Sequence, residues 1–203
     1  STLREIGYQV WEMTDEDVNP ENLNQLDAVI LGIRTLNTND RIAFHMPYLL
    51  DYVKDGGTLI LQYNTNRGLK TDEFSPYSLQ LSRTRVSEED APVRILEPDH
   101  PVLNVPNKIT LEDFDGWVQE RGLYFPDQWD ERFTPLIASH DKGEDWLPGG
   151  LLVAPYGKGY YVYSGYSWFR ELPAGVPGAI RLFTNLVSLG NESVTSQNSN
   201  SND

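Results

Sequence analysis

The chain has 203 residues, a net charge of −14, 39% hydrophobic residues and no cysteine. This length favours one domain with a sizeable core, and the lack of cysteine excludes disulfides, thiolate metal sites and cysteine nucleophiles. The negative charge argues against non-specific nucleic-acid binding and against binding to an anionic membrane surface, because both need a basic face, and no apolar stretch approaches the roughly 20 residues of a membrane span.

The first residues predict that the domain begins upstream of Ser1. Residues 1–7 are typical of the last turn of a helix that ends at Gly7, and residues 8–13 are predicted to form a strand. An open α/β domain usually begins with a strand followed by a helix. We therefore expect a first strand and most of a first helix in a longer parent protein. The alternative is a fold that starts on a short helix.

A strand, a helix and a second strand are predicted between residues 28 and 63. Residues 28–32 and 58–63 are short apolar runs, typical of strands that are covered on both faces. Apolar residues at helical spacing from Ile42 to Val53 predict a helix that Gly56 ends. Residues 64–92 are polar and without periodicity, which indicates a long functional or mobile loop.

The second half of the chain predicts further strands, one helix and a polar tail. Strands are predicted at 92–96, 117–125, 133–139, 151–155 and 160–166, and a turn at 156–159 joins the last two. Helical spacing predicts a helix within 177–189. The residues that follow are rich in Asn and Ser. We expect one α/β domain over 1–189 and a flexible polar tail over 190–203.

Polar side chains at the carboxyl ends of the two buried strands form the first candidate site, because ligands bind there in open α/β sheets. Arg34 and Asn37 follow the first strand, and Gln62 and Asn64 lie at the end of the second. Guanidinium groups suit carboxylate or phosphate oxygens, and amides can bind hydroxyls. These residues could form a shallow pocket for a sugar or an anion. Alternatively, they cap loops and pair with local acids.

Glu120, Arg121 and Tyr124 form a second candidate cluster within a predicted aromatic strand. Charged residues inside such a strand are unusual unless they are partnered. They form either a structural ion pair at the end of the sheet or part of the same polar rim as Arg34. No catalytic residue is predicted, since Ser167 lies in only half of a G-x-S-x-G elbow. No metal site is predicted, because the three histidines lack zinc-binding spacing.

Two sets of motifs resemble known families. The stretches DHPV at 99–102, YGKG at 156–159 and YVYSG at 161–165 resemble ThuA-like domains of the class I glutamine amidotransferase-like group. That resemblance implies a flavodoxin-like open sheet with a mostly parallel core and added antiparallel strands. The stretches at 52–59, 62–65, 107–110, 116–124 and 172–179 resemble the C-terminal region of large bacterial PIG-L (LmbE-like) deacetylases.

The second resemblance implies a parent protein with a zinc-dependent de-N-acetylase domain that acts on N-acetylglucosamine-type substrates. Its P-H-P-D-D-E-like run is absent here, so zinc is expected only in that other domain and no cofactor is expected in this chain. The turn at 61–65, where amidotransferases carry their nucleophile, holds no thiol. We expect a non-catalytic accessory domain that binds a glycan or packs on the deacetylase domain of the same polypeptide. The alternative is an independent hydrolase with Glu120 or His140 as base.

Overall fold

A computed structural model describes residues 1–190 of the chain. Its strands are β1 Ala28–Leu31, β2 Thr58–Leu61, β3 Leu79–Val86, β4 Val93–Ile95, β5 Gly122–Trp129, β6 Thr134–Pro135, β7 Ile137–Ser139, β8 Leu151–Tyr156 and β9 Gly159–Ser164. Its α-helices are α1 Thr2–Glu5, α2 Pro20–Leu23, α3 Thr35–Thr38, α4 Ile42–Lys54, α5 Trp168–Glu171 and α6 Pro177–Val187. Short 3-10 helices lie at Asp15–Asp17, Pro101–Leu103 and Leu111–Phe114.

A five-stranded sheet forms the centre of the described part of the chain, in the order β1-β2-β9-β8-β6. β1, β2 and β9 run parallel, with Ala28 opposite Thr58 and Thr58 opposite Tyr160. β8 and β6 extend this sheet through antiparallel pairs. β3 pairs with β5, and β4 with β7, in two further antiparallel pairs. The predicted open α/β sheet, with a parallel core and added antiparallel strands, is confirmed.

Helices cover both faces of the sheet. Successive side chains of β2 point to opposite faces, so this strand contributes to both layers of the core. Leu59 and Leu61 pack with the buried residues of α4, such as Leu49. Ile60 lies in the other cluster, with Phe183 of α6. The two helices are the ones that the apolar spacing predicts, so the two layers of the core could be read from the sequence.

The prediction of a strand over residues 8–13 is wrong. The segment follows α1 and Gly7, as expected, but it belongs to no helix or strand. A strand requires a hydrogen-bonded neighbour, and no other strand within residues 1–190 pairs with this segment.

Three further boundaries differ from the prediction. The strand expected over 117–125 begins only at Gly122, because the chain turns at Gln119, where φ is 68°. The stretch 133–139 is divided between β6 and β7, which pair with different strands. The expected loop 64–92 contains β3, whose polar residues conceal its pairing with β5.

The predicted polar tail lies outside the described residues, apart from Gly190. Among residues 1–190, no helix has the length and apolar character that crossing a membrane requires.

Candidate ligand-binding site

The loops after β1 and β2 lie at the same edge of the sheet because the two strands are parallel and in register. The N–H of Arg34 donates to the carbonyl of Tyr63 at 2.8 Å, which joins the two loops directly. The Arg34 side chain is exposed and forms no hydrogen bond or ion pair within residues 1–190. The structure therefore places Arg34 and Asn64 together at the strand ends, as the sequence predicts.

Asn64 holds the loops together rather than facing solvent. It is 1% exposed, and its Oδ1 accepts the N–H of Leu36 at 2.9 Å. Its Nδ2 donates to the carbonyl of Gln62 at 3.0 Å and to the hydroxyl of Tyr163 at 3.3 Å. The three amide hydrogen bonds leave Asn64 no group to offer to a ligand.

Asn37 and Gln62 are also engaged with the backbone. The Oδ1 of Asn37 accepts the N–H of Thr65 at 2.9 Å, and its Nδ2 donates to the carbonyl of Arg67 at 3.0 Å. Gln62 Nε2 donates to the carbonyl of Leu31 at 3.3 Å, and the side chain stays half-buried. Both amides therefore hold the loops of the candidate site in place. Their contacts agree with the alternative that these residues cap loops.

Glu120 and Arg121 do not pair with each other. Glu120 is 8% exposed and accepts hydrogen bonds from Arg170 at 2.6 Å and from the Ser167 hydroxyl at 3.0 Å. Arg121 is 4% exposed and donates to two backbone carbonyls, those of Ala91 and Phe114. Burial lowers the pKa of the Arg121 guanidinium. Arg121 is thus a buried brace, and only Glu120 belongs to an ion pair.

Tyr124 belongs to a group of three rings, Tyr63, Tyr124 and Phe169, that we call the aromatic cluster. The rings of Tyr63 and Tyr124 stack at 6.0 Å with 13° between their planes. Phe169 lies 5.4 Å from Tyr63 at a tilt of 51°. The cluster joins the end of β2, the start of β5 and α5 at the edge that carries Arg34.

Two guanidinium groups flank the aromatic cluster. Arg85 of β3 lies over the ring of Tyr124 at 5.5 Å, and Arg170 of α5 lies over Phe169 at 4.9 Å. Arg170 is held by Glu120, whereas Arg85 is exposed and has no carboxylate partner within residues 1–190. The site therefore combines ring faces with one fixed and one available cation.

Backbone strain is concentrated at this edge. Within residues 1–190, the non-glycine residues with a left-handed φ are Arg34 at 60°, Gln119 at 68° and Tyr124 at 52°. Each lies in the site or next to one of its residues. Such conformations are costly for residues with a side chain, and they persist where the surrounding structure requires them, often at functional sites. Their grouping at this edge is an observation, independent of the side-chain contacts, that favours a functional site here.

Glu171 is buried beneath the site, 0% exposed, with its two oxygens accepting the N–H of Val118 at 2.9 and 3.1 Å. The pKa of this carboxyl is raised from 4.5 to about 7, chiefly by burial and also by the negative charge of Glu120, against the lowering effects of the Val118 N–H and of Arg121. The group lies under the site and does not line it.

The described residues contain no group of three or more His, Asp or Glu that could hold a metal ion. His140 packs edge-on against Trp146 at 4.4 Å, and its Nδ1 lies 2.8 Å from the Asp141 carbonyl. Ser167 is fully buried and donates to Glu120. The arrangement at the strand ends can stack on an apolar face and donate hydrogen bonds, which are the requirements of ligand binding.

Sequence reasoning missed Tyr63, Phe169, Arg85 and Arg170 as members of the site. Tyr63 was counted as the end of a strand, although a residue directly after β2 carried the positional signal. Phe169 lies between the predicted strand at 160–166 and the predicted helix within 177–189, and Arg85 lies in the predicted loop 64–92. The proximity of Arg85 to Tyr124 depends on the β3–β5 pairing, which no local pattern in the sequence predicts.

No protein-family model and no curated protein matches the chain. Solved structures do. The cytoplasmic protein STM1381 from Salmonella typhimurium LT2 superposes with a TM-score of 0.60 at 14% identity, over 92% of this chain and 83% of that one. STM3548 from Salmonella typhimurium gives 0.59 at 14% over the same shares. A putative ThuA-like protein from Bacteroides uniformis gives 0.54 at 15%, over 93% and 82%.

The chain has a ThuA-like, flavodoxin-like fold. The expected resemblance to ThuA-like domains is confirmed at the level of the fold, and identities near 14% carry no more than the fold.

Proposed function

We propose that this ThuA-like domain is a non-catalytic binding domain that takes a glycan at the aromatic cluster. The observation that carries the proposal is the grouping of Tyr63, Tyr124 and Phe169 at the carboxyl ends of parallel strands, where open α/β sheets bind ligands. Tyr124 and Phe169 are partly exposed and can offer apolar ring faces to the C–H groups of a sugar, whereas Tyr63 is buried and packs against both.

Charge supports the same ligand class. Arg85 lies over Tyr124 and is free of carboxylates within residues 1–190, so it can donate to hydroxyl or carboxylate oxygens of a bound sugar. Arg34 adds a second exposed guanidinium to the same edge. The overall charge of −14 makes these local cations distinctive, because they do not belong to a general basic surface.

The acidic groups near the site support binding over catalysis. Glu120 is held by Arg170 and Ser167, and Glu171 is fully buried under the Val118 N–H. Glu120 is held in an ion pair and Glu171 does not line the site, so the two acids are not placed as the pair of carboxyl groups that flanks the scissile bond in glycoside hydrolysis. The domain would therefore hold its ligand for another active site.

We further propose that this active site is the deacetylase domain of a PIG-L-type polypeptide acting on N-acetylglucosamine-containing substrates. The resemblance of residues 52–59, 62–65, 107–110, 116–124 and 172–179 to the C-terminal region of such proteins supports this assignment. A binding domain for the substrate's sugar would raise its local concentration at the catalytic domain.

Calorimetry with N-acetylglucosamine oligomers, followed by a glycan array, tests the proposal. We expect Tyr124→Ala to weaken binding about fivefold or more, since one aromatic contact contributes on the order of 1 kcal/mol. Tyr124→Phe should retain most of the affinity. Tyr48→Ala, which removes an exposed ring on α4 away from the site, is the matched control.

Two results would contradict the proposal. Absence of glycan binding, together with a tight interface to the deacetylase domain, would leave only a structural role. Turnover in a screen of esterase, glycosidase and deacetylase substrates, abolished by Glu120→Gln in a folded variant, would support an independent hydrolase.

A further inference from the structure

Within residues 1–190, β1 has a strand neighbour on one side only, and its other edge borders a groove of about 940 Å³. Residues 8–15 form the opposite wall of this groove. Apolar side chains line it from both layers of the core, with Leu3 and Val187 from the α6 side and Leu23 and Leu49 from the α4 side. The groove is thus a gap in the plane of the sheet.

The composition of β1 is that of a central strand. Its four residues, Ala-Val-Ile-Leu, are all apolar, as in strands that are covered on both sides and paired at both edges. Only Val29 is buried, whereas every residue of the neighbouring β2 is buried. A free apolar edge that is only partly buried is a liability that proteins normally cover.

The opposite wall has unpaired backbone groups as well. The N–H groups of residues 9–13 donate to no acceptor within residues 1–190. Backbone donors that lie next to an apolar groove need partners, and a second strand supplies a regular row of them. The free edge of β1 borders this gap, and in an extended segment alternate N–H groups of residues 9–13 point towards it.

We propose that the groove holds one further β-strand, supplied by the polypeptide that precedes Ser1 in the natural protein. The strand would run parallel to β1, with apolar residues on both faces, and would pair with β1 on one side and with residues 8–13 on the other. A row of four or five residues matches the length of β1.

The connection to this strand is already marked in the chain. Helix α1 leads directly into residues 8–13, and its Leu3 packs in the same cluster as α6. The added strand would continue into a helix on the α6 face, and α1 would be the last turn of that helix. The chain would then reach residues 8–13 through a standard crossover between parallel strands. A strand from a second copy of the chain would not use α1 in this way.

The added strand would also reach the candidate ligand-binding site. Gly32 and Thr35 line the groove at its end beside the loop of Arg34. The carboxyl end of the new strand would therefore lie next to this loop and bring its own following residues to the site.

Hydrogen exchange tests the proposal on two proteins: the chain of 203 residues, and the natural polypeptide that includes about 30 residues before Ser1. In the longer protein, we expect the groove-facing amides of β1 and of residues 9–13 to exchange at least about 100-fold more slowly. Both proteins should be monomeric, and the amides of α6 should serve as the unchanged reference.

A proline pair sharpens the test, because proline cannot donate and adjacent N–H groups of a strand point to opposite sides. In the longer protein, only one of the two N–H groups can donate to the added strand. We therefore expect the melting temperatures of Val10→Pro and Trp11→Pro to differ by about 4 °C or more. In the shorter chain, where neither N–H has a partner, the two variants should melt alike.

Three results would overturn the proposal. The first is equal exchange of the groove-facing amides in both proteins. The second is a reading frame that supplies no residues before Ser1. The third is dimerisation of the shorter chain through β1, in which the amides of β1 are protected from exchange in a concentration-dependent way and remain so in the longer protein. This result would assign the groove to a second copy of the chain.

Discussion

Replacing Glu171 with glutamine should remove a pH-dependent penalty from the stability of the domain. The side chain is fully buried, and burial raises its pKa from 4.5 to about 7. Since the pKa is higher in the folded than in the unfolded state, the folded state retains the proton over this interval while the unfolded state releases it. The associated stability is fully present below pH 4.5 and is lost as the pH rises through 7.

The magnitude follows from the shift of about 2.5 units, which at about 1.4 kcal/mol per unit corresponds to roughly 3 kcal/mol. Glutamine keeps an oxygen that can accept the Val118 N–H, so the variant isolates the charge from the hydrogen bond. The unfolding free energy of Glu171→Gln relative to the parent chain should therefore rise by about 3 kcal/mol between pH 4 and pH 8.

Urea denaturation at several pH values measures this difference directly, because other titrating groups contribute equally to both proteins and cancel. Glu112→Gln, at an exposed position, is the control and should show no pH-dependent difference. A constant difference between Glu171→Gln and the parent chain from pH 4 to pH 8 would refute the reasoning, since it would place the carboxyl at its ordinary pKa in the folded protein.

Two further predictions concern buried polar groups, both measured by chemical denaturation. Arg121→Ala leaves two buried carbonyls without a donor and should lower the free energy of unfolding by roughly 2–6 kcal/mol. Arg34→Ala, at an exposed position, is the control and should change it by less than about 0.5 kcal/mol. An unchanged denaturation midpoint for Arg121→Ala would contradict its role as a brace. The Tyr166 hydroxyl is buried without a hydrogen-bond partner among the described residues, so Tyr166→Phe should be neutral or stabilising by about 1 kcal/mol. Tyr163→Phe should cost about 1–2 kcal/mol, because the Tyr163 hydroxyl accepts the backbone N–H of Asn64.

The parallel core could be predicted because its signals are local. The apolar runs of β1 and β2 and the helical spacing of α4 are visible in short windows, and all three elements form where expected. The β3–β5 pair could not be predicted, since it joins residues about 40 positions apart and its register shifts at Leu81 and Thr84. No short window records such a pairing.

The candidate site shows a different limit. The sequence places Asn37 and Asn64 correctly at the strand ends, but an amide that binds a backbone group and an amide that binds a ligand look identical in a sequence. The backbone around them decides, and here it occupies both amides. The side chains left for a ligand are the partly exposed Tyr124 and the guanidinium groups of Arg85 and Arg34, which are exposed and have no carboxylate partner within residues 1–190.

The failed strand prediction at residues 8–13 and the half-exposed β1 have one physical explanation. The composition of a segment reflects how it is buried in the complete fold. A segment forms a strand, however, only where a hydrogen-bonded neighbour is present. Both segments carry the composition of paired strands, and both face the same groove without pairing across it. Both observations therefore support the strand that we propose to lie between these two segments.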